Sequence, residues 1–238
     1  MSVLVVTGTD GGVGKTVVTA AVVALALARG STAAVVKPAQ TGVAAGEPGD
    51  VDQVIRLSGA ATTFELSRFP DPLSPAAAAR ASGMPPVSAA GVVARVRELA
   101  ESNRLVVVDG TGGLLERYDD DGTTIADLAR ALQAQVLVAV RAGRGTVNHT
   151  ALTLEALAHR GLDLAGIVIG RWPQAAGLAE RSSVADLEML AARPLAGALP
   201  DGAGHLPRPA FTEAARKSLG ATLGGTFDPS TFRHHHSA

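Results

Sequence analysis

The sequence predicts an α/β fold: a mostly parallel, doubly wound sheet flanked by helices, within a single domain. Two observations carry this expectation. Short Val/Leu-rich runs alternate with longer Ala/Leu-rich segments, the order expected when crossover helices join parallel strands. The short runs are continuously apolar rather than alternating, as strands covered on both faces must be. A length of 238 residues suits one such domain.

The strands are expected at residues 3–6, 33–36, 105–108, 136–140, 165–169 and 195–199, and the helices at 15–29, 51–58, 75–82, 89–101, 125–132, 147–159 and 184–190. Pro75 after Ser74 reads as a first helical position behind its cap, and Ser88 as the cap of the next helix. Gly30 and Gly161 fit helix ends. Two stretches break the rhythm. Residues 41–49 are rich in Gly and Ala and read as a mobile loop. Residues 69–86 hold five prolines and read as an irregular excursion around one short helix. The domain is expected over 1–222, with a loose tail over 223–238. The His234–His236 run in that tail is given no functional weight.

Composition narrows the function. Hydrophobic residues make up 47% and aromatics only 3%, so the core is expected to be Ala, Val and Leu packed closely. The formal net charge of −1 excludes a broad electrostatic footprint for nucleic acid or anionic lipid. The chain has no Cys, which excludes thiolate chemistry. Met1 to Val6 lacks a basic stretch ahead of its apolar run, so no signal peptide is read, and the apolar stretch 17–28 is too short to span a bilayer. A cytoplasmic location is the expectation.

The first strand runs into Gly8-Thr9-Asp10-Gly11-Gly12-Val13-Gly14-Lys15-Thr16. Small residues let the backbone curl so that successive N–H groups cradle phosphate oxygens. Lys15 places a cation at the β- and γ-phosphates, and Thr16 offers a hydroxyl to Mg²⁺. Gly12, Val13, Gly14, Lys15 and Thr16 are therefore expected to bind a nucleotide, which makes this a P-loop NTPase fold. Five residues separate Gly8 from Gly14, one more than the usual spacing.

In a parallel sheet, ligands gather at the carboxyl ends of the strands. Lys37 and Thr41 follow the second strand there. Asp109, after a Val run, is placed as a magnesium-facing acid, and Gly110, Gly112 and Gly113 leave room for substrate. Gly143 to Asn148 open a helix and form a second anion-ready terminus. Asp50 opens a helix and reads either as its N-cap or as a metal ligand; Asn148 reads either as a cap or as a ligand. His149 and His159 lack acidic or Cys partners at ligand spacing and suggest no metal site. Trp172 is expected to pack under a loop, and Asp119-Asp120-Asp121 to form a solvated turn.

Several of these motifs together resemble dethiobiotin synthetase. They are Thr7-Gly8-Thr9-Asp10 with Val13-Gly14-Lys15-Thr16, Lys37-Pro38-Ala39-Gln40-Thr41-Gly42, Gly112-Gly113-Leu114-Leu115, and Asn148-His149-Thr150-Ala151-Leu152-Thr153. The resemblance spans about residues 1–200 and includes the long phosphate-loop spacing. It implies an ATP- and Mg²⁺-dependent cyclo-ligase that carboxylates 7,8-diaminopelargonic acid with CO₂ and closes a ureido ring, in biotin biosynthesis. It implies that Lys15 and Lys37 are catalytic and that Lys37, Thr41 and Gly112 face the diamine or its carbamate. Thr16, Asp50 and Asp109 would surround the metal. Thr146, Val147 and Asn148 would hold the substrate carboxylate from a neighbouring subunit, so a homodimer is implied. Gly170, with the loop at Pro200, would meet the nucleotide base.

Three positions depart from the family pattern, which commonly has Glu at Asp109, Thr at Gly11 and an adenine-reading Asn at Gly170. The rival reading is a partition or septum-positioning ATPase, an interaction switch with a related loop. The intersubunit lysine of that class is replaced here by Asp10.

Overall fold

Seven parallel strands form the main sheet of the computed structural model, which describes residues 2–236. Met1, and Ser237 and Ala238 of the expected tail, lie outside the described residues. β1 (Ser2–Gly8) leads through the phosphate loop into α1 (Lys15–Ala28) and β2 (Ala33–Lys37). A short β3 (Gln40–Thr41) precedes α2 (Asp50–Ser58), β4 (Thr62–Glu65) and β5 (Arg68–Phe69). Then come α3 (Pro75–Ser82), α4 (Ala89–Ser102), β6 (Leu105–Gly113), α5 (Ile125–Leu132) and β7 (Gln135–Arg141). The remainder holds α6 (Thr146–His159), β8 (Leu164–Trp172), α7 (Leu178–Ala191), β9 (Gly197–Pro200), α8 (Arg208–Ser218) and α9 (Pro229–His236).

The strand order is β4-β2-β6-β1-β7-β8-β9, with β3 and β5 pairing separately. β1 lies between β6 and β7, parallel to both. The chain fills the β6 side first and crosses to the other side with β7, so the phosphate loop leaves the sheet near the reversal of winding, where open α/β sheets bind ligands.

Side-chain alternation sorts the strands between two cores. Val5, Val36, Val108, Val138 and Ile169 face one layer, shared with α3 to α7. Leu4, Val6, Val35, Val107, Leu137 and Val168 face the other, shared with α1, α2 and α8. Both faces are therefore apolar, as the continuous Val runs require. The expected caps hold: Ser88 Oγ accepts from the Gly91 amide at 3.1 Å, Ser74 and Pro75 open α3, and Gly30 and Gly161 take positive φ just past α1 and α6.

Besides the unexpected β3–β5 pair, the structure departs from expectation in four places. β4 is an edge strand of mixed polarity that pairs with β2 alone among the described residues, so it lacks the apolar run of a central strand. α8 hides behind a polar sequence because it buries only Phe211, Ala215 and Ser218. α7 starts at Leu178, one and a half turns before its first deeply buried apolar residue, Val184. The expected loose tail instead leaves a 3-10 turn (Ala221–Leu223) and forms α9, docking on the body through Phe227 ahead of the helix and Phe232 within it. The 41–49 stretch is fastened at more than one point: the Gly42 amide donates to the Asp71 carbonyl at 3.0 Å, and Arg68 Nη1 donates to the Ala44 and Glu47 carbonyls at 3.1 and 2.6 Å.

Candidate active site

The loop after β1 closes on itself. Gly12 and Gly14 adopt positive φ, which glycine reaches without the Cβ clash other residues meet. Gly14 is the N-cap of α1, so the positive end of that helix faces the curl of the loop. Lys15 Nζ donates to the Asp10 carbonyl across the loop at 2.8 Å, and Arg141 Nη2 donates to Gly11 from outside at 2.9 Å. Burial pushes the Lys15 ammonium down to about 8; Asp109 opposes that shift and Lys37 adds to it.

Behind the loop lies a buried ionic cluster. Lys37 Nζ, 2% exposed at the end of β2, stands 2.6 Å from Asp50 Oδ2 and 3.0 Å from Asp109 Oδ2. Asp109, 1% exposed, also accepts from Thr19 at 2.9 Å and from Thr16 at 3.3 Å. Burial alone would depress the Lys37 ammonium; the two carboxylates together outweigh it and hold the group above the ordinary lysine range. Asp50 is set by Gln40, whose Oε1 accepts from the Asp50 amide at 2.8 Å. The N-cap of α2 is Gly49, so Asp50 is not the cap, and its side chain is free to reach Lys37. The Asn148 cap reading is corrected in the same way: Gly145 caps α6, and Asn148 stands exposed in its first turn.

A cleft of about 850 Å³ opens over these groups. Gly12, Gly14, Lys15 and Thr16 form its phosphate-ready wall, Lys37, Thr41, Asp50 and Gly112 line one flank, and Gly170 and Pro200 lie at the far end. Asp109 is buried beneath the floor, and Val13 is fully buried with its carbonyl turned toward Gly170. Thr146, Val147 and Asn148 are not part of this cleft; Thr146 Oγ1 donates instead to the Arg141 carbonyl at 2.7 Å. The cleft also contains Gln40, Glu116 and His205, which sequence reasoning missed, together with Arg171 and Asp201. Arg171 and Asp201 sit at the carboxyl ends of β8 and β9, beside the expected Gly170 and Pro200. Among the described residues no group of three His, Cys, Asp or Glu is placed to hold a metal by itself.

A family model described as an AAA domain matches residues 2–204. The sequence is 59% identical over 237 residues to the ATP-dependent dethiobiotin synthetase BioD of Parafrankia sp. (strain EAN1pec), covering 100% of both chains. It is 60% identical over 233 residues to the BioD of Frankia casuarinae, covering 98% of each. The chain belongs to the dethiobiotin synthetase family. The BioD of Streptomyces coelicolor is 52% identical over 236 residues, covering 99% of each chain. Among solved structures, the septum site-determining protein MinD of Pyrococcus horikoshii, complexed with Mg-ADP, aligns with a TM-score of 0.59 at 13% identity over 94% of each chain. The cell division protein FtsY of Thermotoga maritima aligns with a TM-score of 0.54 at 18% identity, over 90% of this chain and 68% of that one. At such identities these two likenesses establish the P-loop NTPase fold alone.

Two departures from the family pattern have opposite physical character. A Cβ built at Gly11 meets nothing within 4 Å, so a side chain there would fit. A Cβ built at Gly170 would overlap the Val13 carbonyl oxygen and meet Gly14 Cα at 3.2 Å. Gly170 therefore lets β8 and the phosphate loop approach backbone to backbone.

Lys15 generates a testable consequence. Its charge is held in a buried place, with a folded pKa of about 8 against 10.5 when unfolded. The unfolded chain binds that proton more tightly, so the charge lowers stability below pH 8, and the loss is relieved as pH rises through 8 toward 10.5. Lys15→Met is expected to raise the unfolding free energy of the nucleotide-free protein at pH 7 by up to about 3 kcal/mol, with the gain shrinking at pH 10. Urea unfolding of both chains at the two pH values checks this; a variant no more stable at pH 7 contradicts it.

Proposed function

We propose that the chain is an ATP-dependent dethiobiotin synthetase that converts 7,8-diaminopelargonic acid, CO₂ and ATP to dethiobiotin, ADP and phosphate. The carrying observation is that the phosphate loop, Lys15 and Lys37 converge on one cleft, within a chain matching named synthetases end to end. One substrate amine captures CO₂ as a carbamate and releases a proton. A carbamate oxygen attacks the γ-phosphorus and ADP departs, leaving a carbamic–phosphoric anhydride. The second amine attacks its carbonyl carbon, phosphate leaves, a proton is lost and the ring closes.

These steps need charge neutralisation more than proton transfer. Lys15 takes the β- and γ-phosphates, exchanging its loop carbonyl for phosphate oxygens. Lys37 is charged throughout the neutral range and lines the cleft with Thr41 and Gly112, which suits it to neutralise the carbamate. Mg²⁺ fits the donor set: the Thr16 hydroxyl and the Asp50 and Asp109 carboxylates are hard oxygen ligands, and an ammonium already stands between the two acids. When bound, the ion offsets charge on the transferring phosphoryl group. Asp109 has a shorter arm than Glu and is engaged by Thr16, Thr19 and Lys37, which suits contact through water. The cytoplasm is the compartment that fits this reaction.

The chain acts as a homodimer. Thr146, Val147 and Asn148 lie outside their own cleft, which supports a role for the α6 terminus at the substrate carboxylate of a second copy. Lys15→Ala and Asn148→Ala proteins are each expected to be inactive. Mixed with subunit exchange confirmed, they should recover activity, because one hybrid site holds both intact residues. An inactive mixture, or a fully active monomer in sedimentation, argues against shared sites.

Base choice is expected to be loose. Gly170 has no side chain to read a base, and Arg171 is occupied by Asp201 at 2.9 Å on an exposed rim. A site without buried polar readers leaves none unpaired when the base is wrong. Phosphate release measured with ATP, CTP, GTP and UTP should require diamine and bicarbonate together, and kcat/KM should vary by less than about a hundredfold, some 2.7 kcal/mol. Release independent of the diamine contradicts the function; a steeper ATP preference contradicts loose reading alone.

A further inference from the structure

The end of β8 is bulged. Its pairing with β9 is regular at Val168 and Ile169, then shifts before Trp172 meets Pro200. The pairing with β7 shifts at the same level, between Val140 and Arg141. An extra residue in one strand re-aims the side chains that follow it. Ile167 and Ile169 face the α7 side, so simple alternation would turn residue 171 there. The bulge instead sends Arg171 to the cleft rim and brings Trp172 onto the α7 side, 7% exposed.

What receives Trp172 is the carboxyl-terminal helix. Its indole lies 4.9 Å, centroid to centroid, from both Phe232 and His236 of α9, edge to face. Phe232 is in turn 5.1 Å from Phe227. Arg233 Nη1 reaches Glu188 Oε2 at 2.5 Å, and the other oxygen of that buried carboxylate accepts from the Leu195 amide at 3.0 Å, ahead of β9. α9 thus grips the end of β8 and the approach to β9 together. On the cleft side, the Trp172 carbonyl accepts from the Asp201 amide at 2.7 Å, and Asp201 holds Arg171.

We infer that α9 is a positioning element for the far wall of the cleft: by clamping Trp172 it fixes Gly170, Arg171 and Asp201, the wall that meets the nucleotide beyond its phosphates. This rests on the reading of the cleft as a nucleotide site. Neither Phe232 nor Arg233 lines the cleft, so any effect on binding passes through Trp172 and β9.

The chain contains one Trp, so its fluorescence reports this contact without interference. The full-length chain and its Phe232→Asp variant are compared, the new carboxylate being incompatible with an aromatic cluster. Arg233→Ala serves as a milder second variant. The readouts are Trp emission, affinity for Mg-ADP and affinity for magnesium tripolyphosphate, a probe with phosphates and no base or ribose. Expected are a red-shifted emission, an ADP affinity lowered about tenfold and a tripolyphosphate affinity within twofold of the unaltered chain. In Arg233→Ala the ADP loss should be smaller and of the same kind. Equal loss of both ligands, or a red shift with ADP affinity intact, overturns the inference. Unshifted emission in Phe232→Asp overturns it as well, because α9 then does not cover Trp172. Failure of the unaltered chain to bind Mg-ADP at all would fall on the nucleotide-site reading instead.

Discussion

Lys37 between Asp50 and Asp109 is the interaction on which the cleft depends. An ammonium at 2% exposure is costly to bury by itself, and so is a carboxylate at 1%. Each is tolerable only because the others are there. The cluster ties the end of β2, the middle of β6 and the first turn of α2 to one point. Thr16 and Thr19 of α1 join it through Asp109, so the helix behind the phosphate loop is registered against the same charge. The floor of the cleft is therefore preorganised before any ligand arrives, which is how electrostatic catalysis avoids reorganisation at the moment of reaction.

A second constraint is backbone contact between the phosphate loop and β8. Gly14 and Gly170 face one another so closely that neither tolerates a Cβ: one built on Gly14 would meet the Gly170 carbonyl oxygen at 2.8 Å. With Gly170 pressed against the loop, the bulge that follows divides the strand end between cleft and core. Arg171 serves the rim, and Trp172 anchors it to α7 and α9. The same local irregularity thus attaches the Gly170 end of the cleft to the carboxyl-terminal helix of the chain.

How much of this was legible in the sequence follows from the range of the interactions involved. The phosphate loop and the six apolar strands were readable because their signals are local: a glycine-rich turn, a Val run, a following helix. Lys37, Asp50 and Asp109 were readable as residues at one sheet edge. Their mutual contact was not, since Lys37 and Asp109 are 72 residues apart in the chain and only the β2–β6 pairing brings them together. Asp50 looked as much like a cap as a ligand until Gly49 proved to hold the capping position. Gln40, which sets Asp50, carried no signal beyond its place near Lys37. The docking of α9 was hidden differently. Asp228 before Pro229 is a helix-start signal, and its carboxylate does accept from the Ser230 and Thr231 amides at 2.8 and 3.0 Å. The adjacent His run drew the reading toward a tail, and the partner of Phe232 is revealed only by the bulge that turns Trp172.

The direct test of the ionic cluster is the unfolding free energy of Lys37→Met, measured in urea at neutral pH without nucleotide or metal. Removing the ammonium leaves two carboxylates at the floor of the cleft with their common cation gone. A cluster of this burial predicts a loss of about 3–5 kcal/mol. A loss below about 1 kcal/mol, the scale of an exposed pair, would show that Lys37 does not hold the cleft together.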